Sequence, residues 1–542
     1  MRRSQTFETD SASAELNFNL SSGTTADGRT VPGPLTIAYD AATQSYSVSA
    51  PGRAATFAPS DALPRAIEGE TRYRKVTGGS GDILTLVTAP YYGVRISNRY
   101  VALGYWQRNA VTGDRQHTLF DAFAFGLETP AAAVPKTGMA SFGIDVFGVS
   151  ATPGREPRVF QGAGRFDIDF LAGIFSTNTL LEEWELLSGS GISGGSIYLV
   201  GAGRLSSSDT FHGRIAYNGA HGHVGGTMSG RFYGPQAEEL GAGFSGSNAD
   251  GATVTGAMTG QRANNSPVNF TLTNMVTPQS FFVDEATLLV NSFEDASRNH
   301  AMANWATTQI RDLTGGTIQY FPGRTTGIGG DFTDADSVPS ANPNFIAYNR
   351  EANDQKGRLE LYRRGEGNSE LALTYMTFGR WSSSSTSGIS TRDQYNFFTY
   401  GLETPQNLLS ARTGSARYDG VVYGAGANTG TGARYDVSGT SRFDVDFGRQ
   451  SLSGALALRG ESTNGFGNVD FGAYDFSGGL STTGVRTLTQ LSRNGLRSGE
   501  LITSFFGPDG EEIGGTFIMR VQDGNPGAGT SIVGATAAKR GE

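Results

Sequence analysis

Apolar and polar residues alternate with period two along most of the chain. Between Met139 and Val146, Phe142, Ile144 and Val146 fall on one face. Between Arg165 and Phe170, Phe166, Ile168 and Phe170 share a face and Asp167 and Asp169 take the other. This alternation predicts antiparallel strands with one packed and one solvated side. Amphipathic helical spacing is nearly absent. Leu180, Leu181, Trp184 and Leu187 fit it, but the internal alignment described next lays Phe175 to Leu181 over Leu452 to Leu458, so this stretch is expected to be a strand.

The pattern occurs twice. Tyr100-Val-Ala-Leu-Gly-Tyr-Trp106 returns as Tyr375-Met-Thr-Phe-Gly-Arg-Trp381, and Gly126-Leu-Glu-Thr-Pro130 returns unchanged as Gly401-Leu-Glu-Thr-Pro405. Arg165-Phe-Asp-Ile-Asp-Phe170 reappears as Arg442-Phe-Asp-Val-Asp-Phe447. Phe232-Tyr-Gly-Pro235 with Glu238-Glu-Leu-Gly241 reappears as Phe505-Phe-Gly-Pro508 with Glu511-Glu-Ile-Gly514, and Gly256-Ala257 as Gly534-Ala535. Displacements that stay near half the chain and drift by a few residues mark a tandem duplication. A period this long excludes a solenoid, so each copy is expected to pack as its own lobe.

Matching is dense from the Trp106/Trp381 strand onward and sparse before it. Each lobe therefore divides into a variable front piece and a constrained back piece, and a closed sheet would hold such a frame. The expected boundaries are a polar leader at 1–14, front pieces at 15–125 and 268–400, barrels at 126–262 and 401–542, and a linker at 263–267. The expected class is all-β: two tandem lobes, each a variable front piece followed by an antiparallel β-barrel.

Composition narrows the function. The 77 glycines, scattered among Thr, Ser, Phe and Tyr, fit short strands and tight turns. A net charge of −9, with no dense run of Lys or Arg, argues against nucleic acid. With no cysteine, structural disulfides, zinc–thiolate sites, iron–sulfur clusters and thiol nucleophiles are excluded. No apolar segment follows Met1-Arg-Arg-Ser-Gln, and no run of about 20 apolar residues suggests a membrane-spanning helix. Two readings stand, a cytosolic protein or an exported chain written without its leader, and the Gly/Ser/Thr-rich β composition favours the second.

Catalytic signatures are missing. No nucleophile elbow, phosphate loop, dinucleotide fingerprint or His-Glu-x-x-His is present, and Gly191-Ile-Ser-Gly-Gly195 is expected to be a hairpin turn. His221-Gly-His223 could place two imidazoles on one strand face, but no third ligand is evident and the second copy lacks the pair. Asp331, Asp334 and Asp336 lack the glycine and terminal glutamate of the usual calcium loop. Asp167/Asp169 and Asp444/Asp446 alternate with apolar residues and are expected at solvent or at a barrel mouth. Glu238-Glu239 and Glu511-Glu512 follow Gly-Pro turns and are expected at turns and strand ends. Kept in both copies, these carboxylates are expected to be architectural. No enzymatic activity, metal or cofactor is expected.

The ordered phrases Phe232-Tyr-Gly-Pro235 with Glu238 to Phe244, Phe505-Phe-Gly-Pro508 with Glu511 to Phe517, and Gly-Leu-Glu-Thr-Pro leading to Thr137-Gly-Met-Ala and Thr413-Gly-Ser-Ala resemble the barrels of transferrin-binding protein B-like surface proteins of Gram-negative bacteria. The resemblance implies lobes with handles and filled eight-stranded barrels, and surface display through an acylated N-terminal cysteine that this chain lacks. It also implies capture of an iron- or haem-carrier protein, or another solute, for a TonB-dependent outer-membrane receptor. A surface-layer or adhesin-like spacer and a carrier of a small hydrophobic ligand or haem remain the alternatives. Binding by a rigid scaffold leans on a few aromatic anchors. The candidates are Tyr91 and Tyr92 in a Pro-Gly-flanked turn, Trp106, and Trp184, which has no aromatic twin. A capture protein is expected to have asymmetric lobes, one richer in exposed aromatics.

Overall fold

The computed structural model describes residues 3–31, 33–65, 67–77, 79–89, 91, 97–265, 267–322, 328–352, 355–481 and 486–541. The chain forms two compact units, Met1–Pro267 and Val268–Glu542, and both are built almost wholly of antiparallel strands.

Each unit has an open sheet followed by a closed eight-stranded barrel. The first barrel runs strand by strand from Met139–Ala151 to Thr253–Ala263, and pairing of its first and last strands closes it. The second runs from Ser415–Ala427 to Ser531–Arg540 and closes the same way. In the first handle a six-stranded sheet places Thr24–Thr30, Asp10–Asn19, Arg115–Gly126, Val101–Thr112, Ser80–Val87 and Glu70–Thr77 side by side. The second handle repeats this order with His300–Asp312, Gln279–Phe293, Ser390–Gly401, Met376–Ser387, Gln355–Tyr362 and Phe345–Ala352, and adds short strands at both edges. The first handle also has a separate four-stranded sheet, Gln5–Glu8, Thr36–Asp40, Ser45–Ala50 and Arg53–Phe57.

Two expectations need correction, and a third is met. The stretch expected to be a polar leader instead holds two strands, Gln5–Glu8 and the start of Asp10–Asn19, the second paired on both sides within the handle sheet. Its inward positions are Asp10, Ala12, Ala14 and Leu16, too small or too polar to announce a buried face. The barrels also begin later than 126 and 401. Gly126 and Gly401 end handle strands, and a short connection precedes the first barrel strand in each unit. The stretch with helical spacing is a strand, Ile174–Glu185, as the internal alignment predicted.

The barrels are filled with apolar side chains. Phe142, Phe160, Phe166, Phe175, Phe211 and Phe232 all lie in the first interior, with Phe166 stacked on Phe175 at 4.8 Å between centroids. Tyr418, Phe443, Phe471, Tyr474, Phe476 and Phe517 occupy the second. Burying an aromatic side chain contributes on the order of 2–3 kcal/mol, so these clusters are the principal source of cohesion. The outer strand faces carry charges such as the Arg442–Asp444 pair at 2.7 Å. A transmembrane barrel has the opposite polarity, with an apolar outer band. Among the described residues no helix is long and apolar enough to cross a membrane.

Candidate functional site: the handle–barrel junctions

The repeated phrases meet where each handle joins its barrel. Glu239, on a barrel strand, receives the backbone N–H groups of Arg99, Tyr100 and Val101 at 2.7, 2.8 and 2.9 Å, where the handle strand Val101–Thr112 begins. In the second unit Glu512 receives those of Thr374, Tyr375 and Met376 at 2.6, 2.9 and 3.0 Å. One buried carboxylate thus satisfies three main-chain donors that have no ladder partner there. Thr129 and Thr404 act alongside: each hydroxyl donates to the carbonyl of Gly234 or Gly507 at 2.6 Å. Both glycines have positive φ, 87° and 89°, which accounts for glycine in the Phe-Tyr-Gly-Pro and Phe-Phe-Gly-Pro turns. Glu238 and Glu511 close those turns by accepting from Gln236 N–H and Asp509 N–H, both at 2.8 Å.

The two latches differ electrostatically. Burial pushes Glu512 up to about 7 against the opposing pull of its three N–H donors and Lys539. In the first unit the displaced acid is Asp10, raised to about 6 by burial although Arg231 and Tyr233 favour its charged form. Its carboxylate accepts from Arg231 Nε at 3.0 Å and from the Tyr233 hydroxyl at 2.9 Å, tying a handle strand to a barrel strand.

The space beside each latch is filled differently. In the first unit Tyr105 packs on Phe147 at 4.3 Å within a cluster that includes Leu103, Phe120, Val149 and Val159. In the second, Arg380 stands in the place of Tyr105, Glu360 in that of Thr85 and Asp436 in that of Val159, as strand registers and the 275–277-residue displacements show. Arg380 donates from Nε to Glu360 at 2.9 Å and from Nη1 to Asp436 at 3.0 Å, so its guanidinium spans handle and barrel. Burial works against the Glu360 charge, but Arg380 and Arg358 outweigh it and hold the carboxyl below its ordinary range.

The expected anchors fall in unlike places. Tyr92 lies outside the described residues. Tyr91 is half-buried in the first junction rather than held out on a turn: its N–H donates to Asp145 at 3.1 Å, its hydroxyl to Glu70 at 2.5 Å, and its ring meets Phe147 at 5.7 Å. Burial, then Glu70, drives its phenol far above the ordinary range. Trp106 is fully buried in the handle core, gives its indole N–H to Asp82 at 2.9 Å and lies under Arg53 at 4.3 Å, so it cannot reach a ligand. Its twin Trp381 is equally buried over Gly357, where any Cβ would collide with the ring. Trp184 is half-buried on the outer face of the first barrel, on a strand that also exposes Leu180, with Leu186 and Leu187 exposed just beyond. Sequence reasoning missed the junction acids' partners, although the repetition of Glu239 and Glu512 marked them.

The polar motifs are also accounted for. Asp167 is buried against Arg165 instead of facing solvent, and Asp444 pairs with Arg442 on the outer face. Asp169 and Asp446 cap turns by accepting from Leu171 N–H and Arg449 N–H, each at 2.9 Å. His221 accepts from Arg158 Nε at 3.0 Å. Asp331 accepts from Gln319 at 2.7 Å, and Asp336 accepts the Thr333 N–H at 2.9 Å. Among the described residues no group of three or more His, Cys, Asp or Glu is placed to hold a metal.

A family model for the C-lobe and N-lobe β-barrels of Tf-binding protein B matches residues 411–540, which hold the whole second barrel. The second barrel is therefore similar to the barrels of transferrin-binding protein B. In that barrel the chain is transferrin-binding protein B-like. Transferrin-binding protein B of Neisseria meningitidis serogroup B is 30% identical over 99 residues, a stretch covering 17% of this chain and only 15% of that protein. Among solved structures, a double mutant of transferrin binding protein B from Haemophilus parasuis Hp5 aligns over 84% of this chain and 85% of its own at 16% identity, with a TM-score of 0.30. The isotype 1 protein from serogroup B Neisseria meningitidis aligns over 84% and 89% at 16% identity, with a TM-score of 0.28.

Proposed function

We propose that the chain is a non-enzymatic surface protein of a Gram-negative bacterium that captures an iron-carrier protein for a TonB-dependent outer-membrane receptor. Transferrin is the first carrier to test, because it is in the name of the relatives. The observation that carries this reading is the match of the whole second barrel to the transferrin-binding protein B barrels. The structure contributes a physical rationale. Two stiff barrels hold their handles by the same three-donor hydrogen-bond pattern while the surfaces around them have diverged, as expected when a rigid scaffold presents variable contacts. Divergence extends to exposed aromatics: among the described residues Phe282, Phe321 and Phe466 are the exposed ones, and all lie in the second unit.

Biolayer interferometry on the immobilised full chain tests the proposal, with iron-loaded transferrin, haemoglobin and albumin as analytes. Saturable binding of iron-loaded transferrin, with albumin inert, is the expected result. Failure of both iron-carrying proteins to bind overturns the reading and favours a structural spacer.

A further inference from the structure

Where the first junction is plugged by Tyr105, Phe147 and Val159, the second opens into a cleft of about 660 Å³ between handle and barrel. That volume lies within the range of small-molecule sites. Its charged lining comprises Glu360, Glu370, Asp436 and Glu461 against Arg380 and Arg459. Arg380 is committed to Glu360 and Asp436. Glu370 is different. It accepts from the hydroxyls of Tyr423 at 2.8 Å and Tyr362 at 3.1 Å and from Asn344 Nδ2 at 2.8 Å, all neutral donors. Among the described residues no Lys or Arg forms an ion pair with it. The Tyr423 ring beside it meets Phe345 edge-on at 5.0 Å, so a carboxylate and two aromatic rings border one end of the cleft.

We propose that this cleft binds an organic cation, an ammonium or guanidinium group seated between the Glu370 carboxylate and the rings of Tyr423 and Phe345. A carboxylate supplies the counter-charge, and aromatic rings attract a cation through their quadrupoles. An anion would meet four carboxylates; of the two guanidinium groups in the lining, Arg380 is engaged by two of those carboxylates, and Arg459 stands at the exposed edge. The duplicate junction strengthens the argument: the first unit shows that this fold can close the same space with apolar side chains. Keeping charge there forgoes packing, and departures from the stable arrangement are expected at functional sites. The cation could be a free amine or a Lys or Arg side chain of a protein partner, since both present the same group.

Isothermal titration of the full chain with agmatine, and with glutarate as the anionic control, tests the site. Saturable agmatine binding, at least tenfold weaker in Glu370→Gln, with glutarate inert, is the expected result. Circular dichroism establishes that the variant is folded. If it is not, Asp436→Asn at the exposed rim takes its place, with a loss of about threefold expected. No saturable agmatine binding, an affinity unchanged in the folded variant, or preference for glutarate overturns the proposal. A second arm separates the sources. Competition of agmatine with transferrin assigns the site to a partner's side chain, and agmatine binding that leaves transferrin unaffected assigns it to a free amine. Because the agmatine titration needs no carrier protein, it stands or falls independently of the capture function.

Discussion

The two junctions are duplicates that solve one problem with opposite chemistries. Both hold the handle to the barrel through a glutamate that takes three backbone N–H groups. Beside that shared latch, the first unit packs Tyr105 on Phe147, and the second sets Arg380 between Glu360 and Asp436. Main-chain donors cannot be changed by mutation, so the residue that satisfies them stayed. Side-chain contacts could be exchanged in sets, so they drifted. What persists after duplication is the part of the interface that serves the backbone.

The latch should dominate stability. Removing the carboxylate orphans three donors, each costing about 1–3 kcal/mol when buried, so Glu239→Ala and Glu512→Ala are each expected to cost about 3–5 kcal/mol in urea denaturation. A loss below about 1 kcal/mol in either would show that water replaces the carboxylate and that the latch is dispensable. Exchanging the junction chemistry comes next. Arg380→Tyr installs the first unit's residue but takes from Glu360, whose side chain is only 7% exposed, the nearer of its two arginines and leaves it to Arg358, at a cost of about 2 kcal/mol. Adding Glu360→Thr and Asp436→Val completes the swap and should restore most of that loss. If the triple variant is no better than the single, the two junctions are not interchangeable frames.

Acidity separates the units more gently. Glu512 is raised from 4.5 to about 7, so the folded state binds its proton more tightly than the unfolded state does. Its contribution is therefore most favourable below about pH 4.5 and is lost as pH rises toward 7, a change of a few kcal/mol at most. Asp10 gives the first unit the same sign over a lower window, from 3.8 to about 6. Denaturation between pH 5 and 8 should show a slope that Glu512→Gln removes, and an unchanged slope would place the titration elsewhere. The smallest stability effect belongs to Trp184. Half-buried on the outer face, Trp184→Ser should cost no more than about 1 kcal/mol, whereas Trp106→Ala should cost about 3–5 kcal/mol. If Trp184 is an anchor, its variant loses carrier binding in interferometry while its melting temperature holds.

Much of the architecture could be read from residues alone, because the barrels obey simple periodicity. Phe142, Ile144 and Val146 alternate inward as written, and the repeated turns survive since only glycine takes the φ of Gly234 and Gly507. The handles were harder. Their sheets share one order over six strands, but pairing through the main chain tolerates almost any side chain, and Asp10, Ala12 and Ala14 conceal an interior strand as a polar leader. Two of the candidate anchors are placed in the interior for a related reason. Trp106 and Tyr91 carry the chemistry of a binding residue, but sequence does not show that Asp82 and Glu70 already occupy their polar ends. The cleft is not legible in the sequence, because neither Glu370 nor Tyr423 belongs to a repeated phrase.

Amide hydrogen exchange in the wild-type chain and in Glu512→Ala probes the latch most directly. The account predicts that Thr374, Tyr375 and Met376 are strongly protected in the wild type and lose protection in the variant, while Arg99, Tyr100 and Val101 in the other unit keep theirs. Protection that survives at residues 374–376, or that collapses at both sites together, would contradict the claim that in each unit one barrel carboxylate secures the three N–H groups where the handle strand begins.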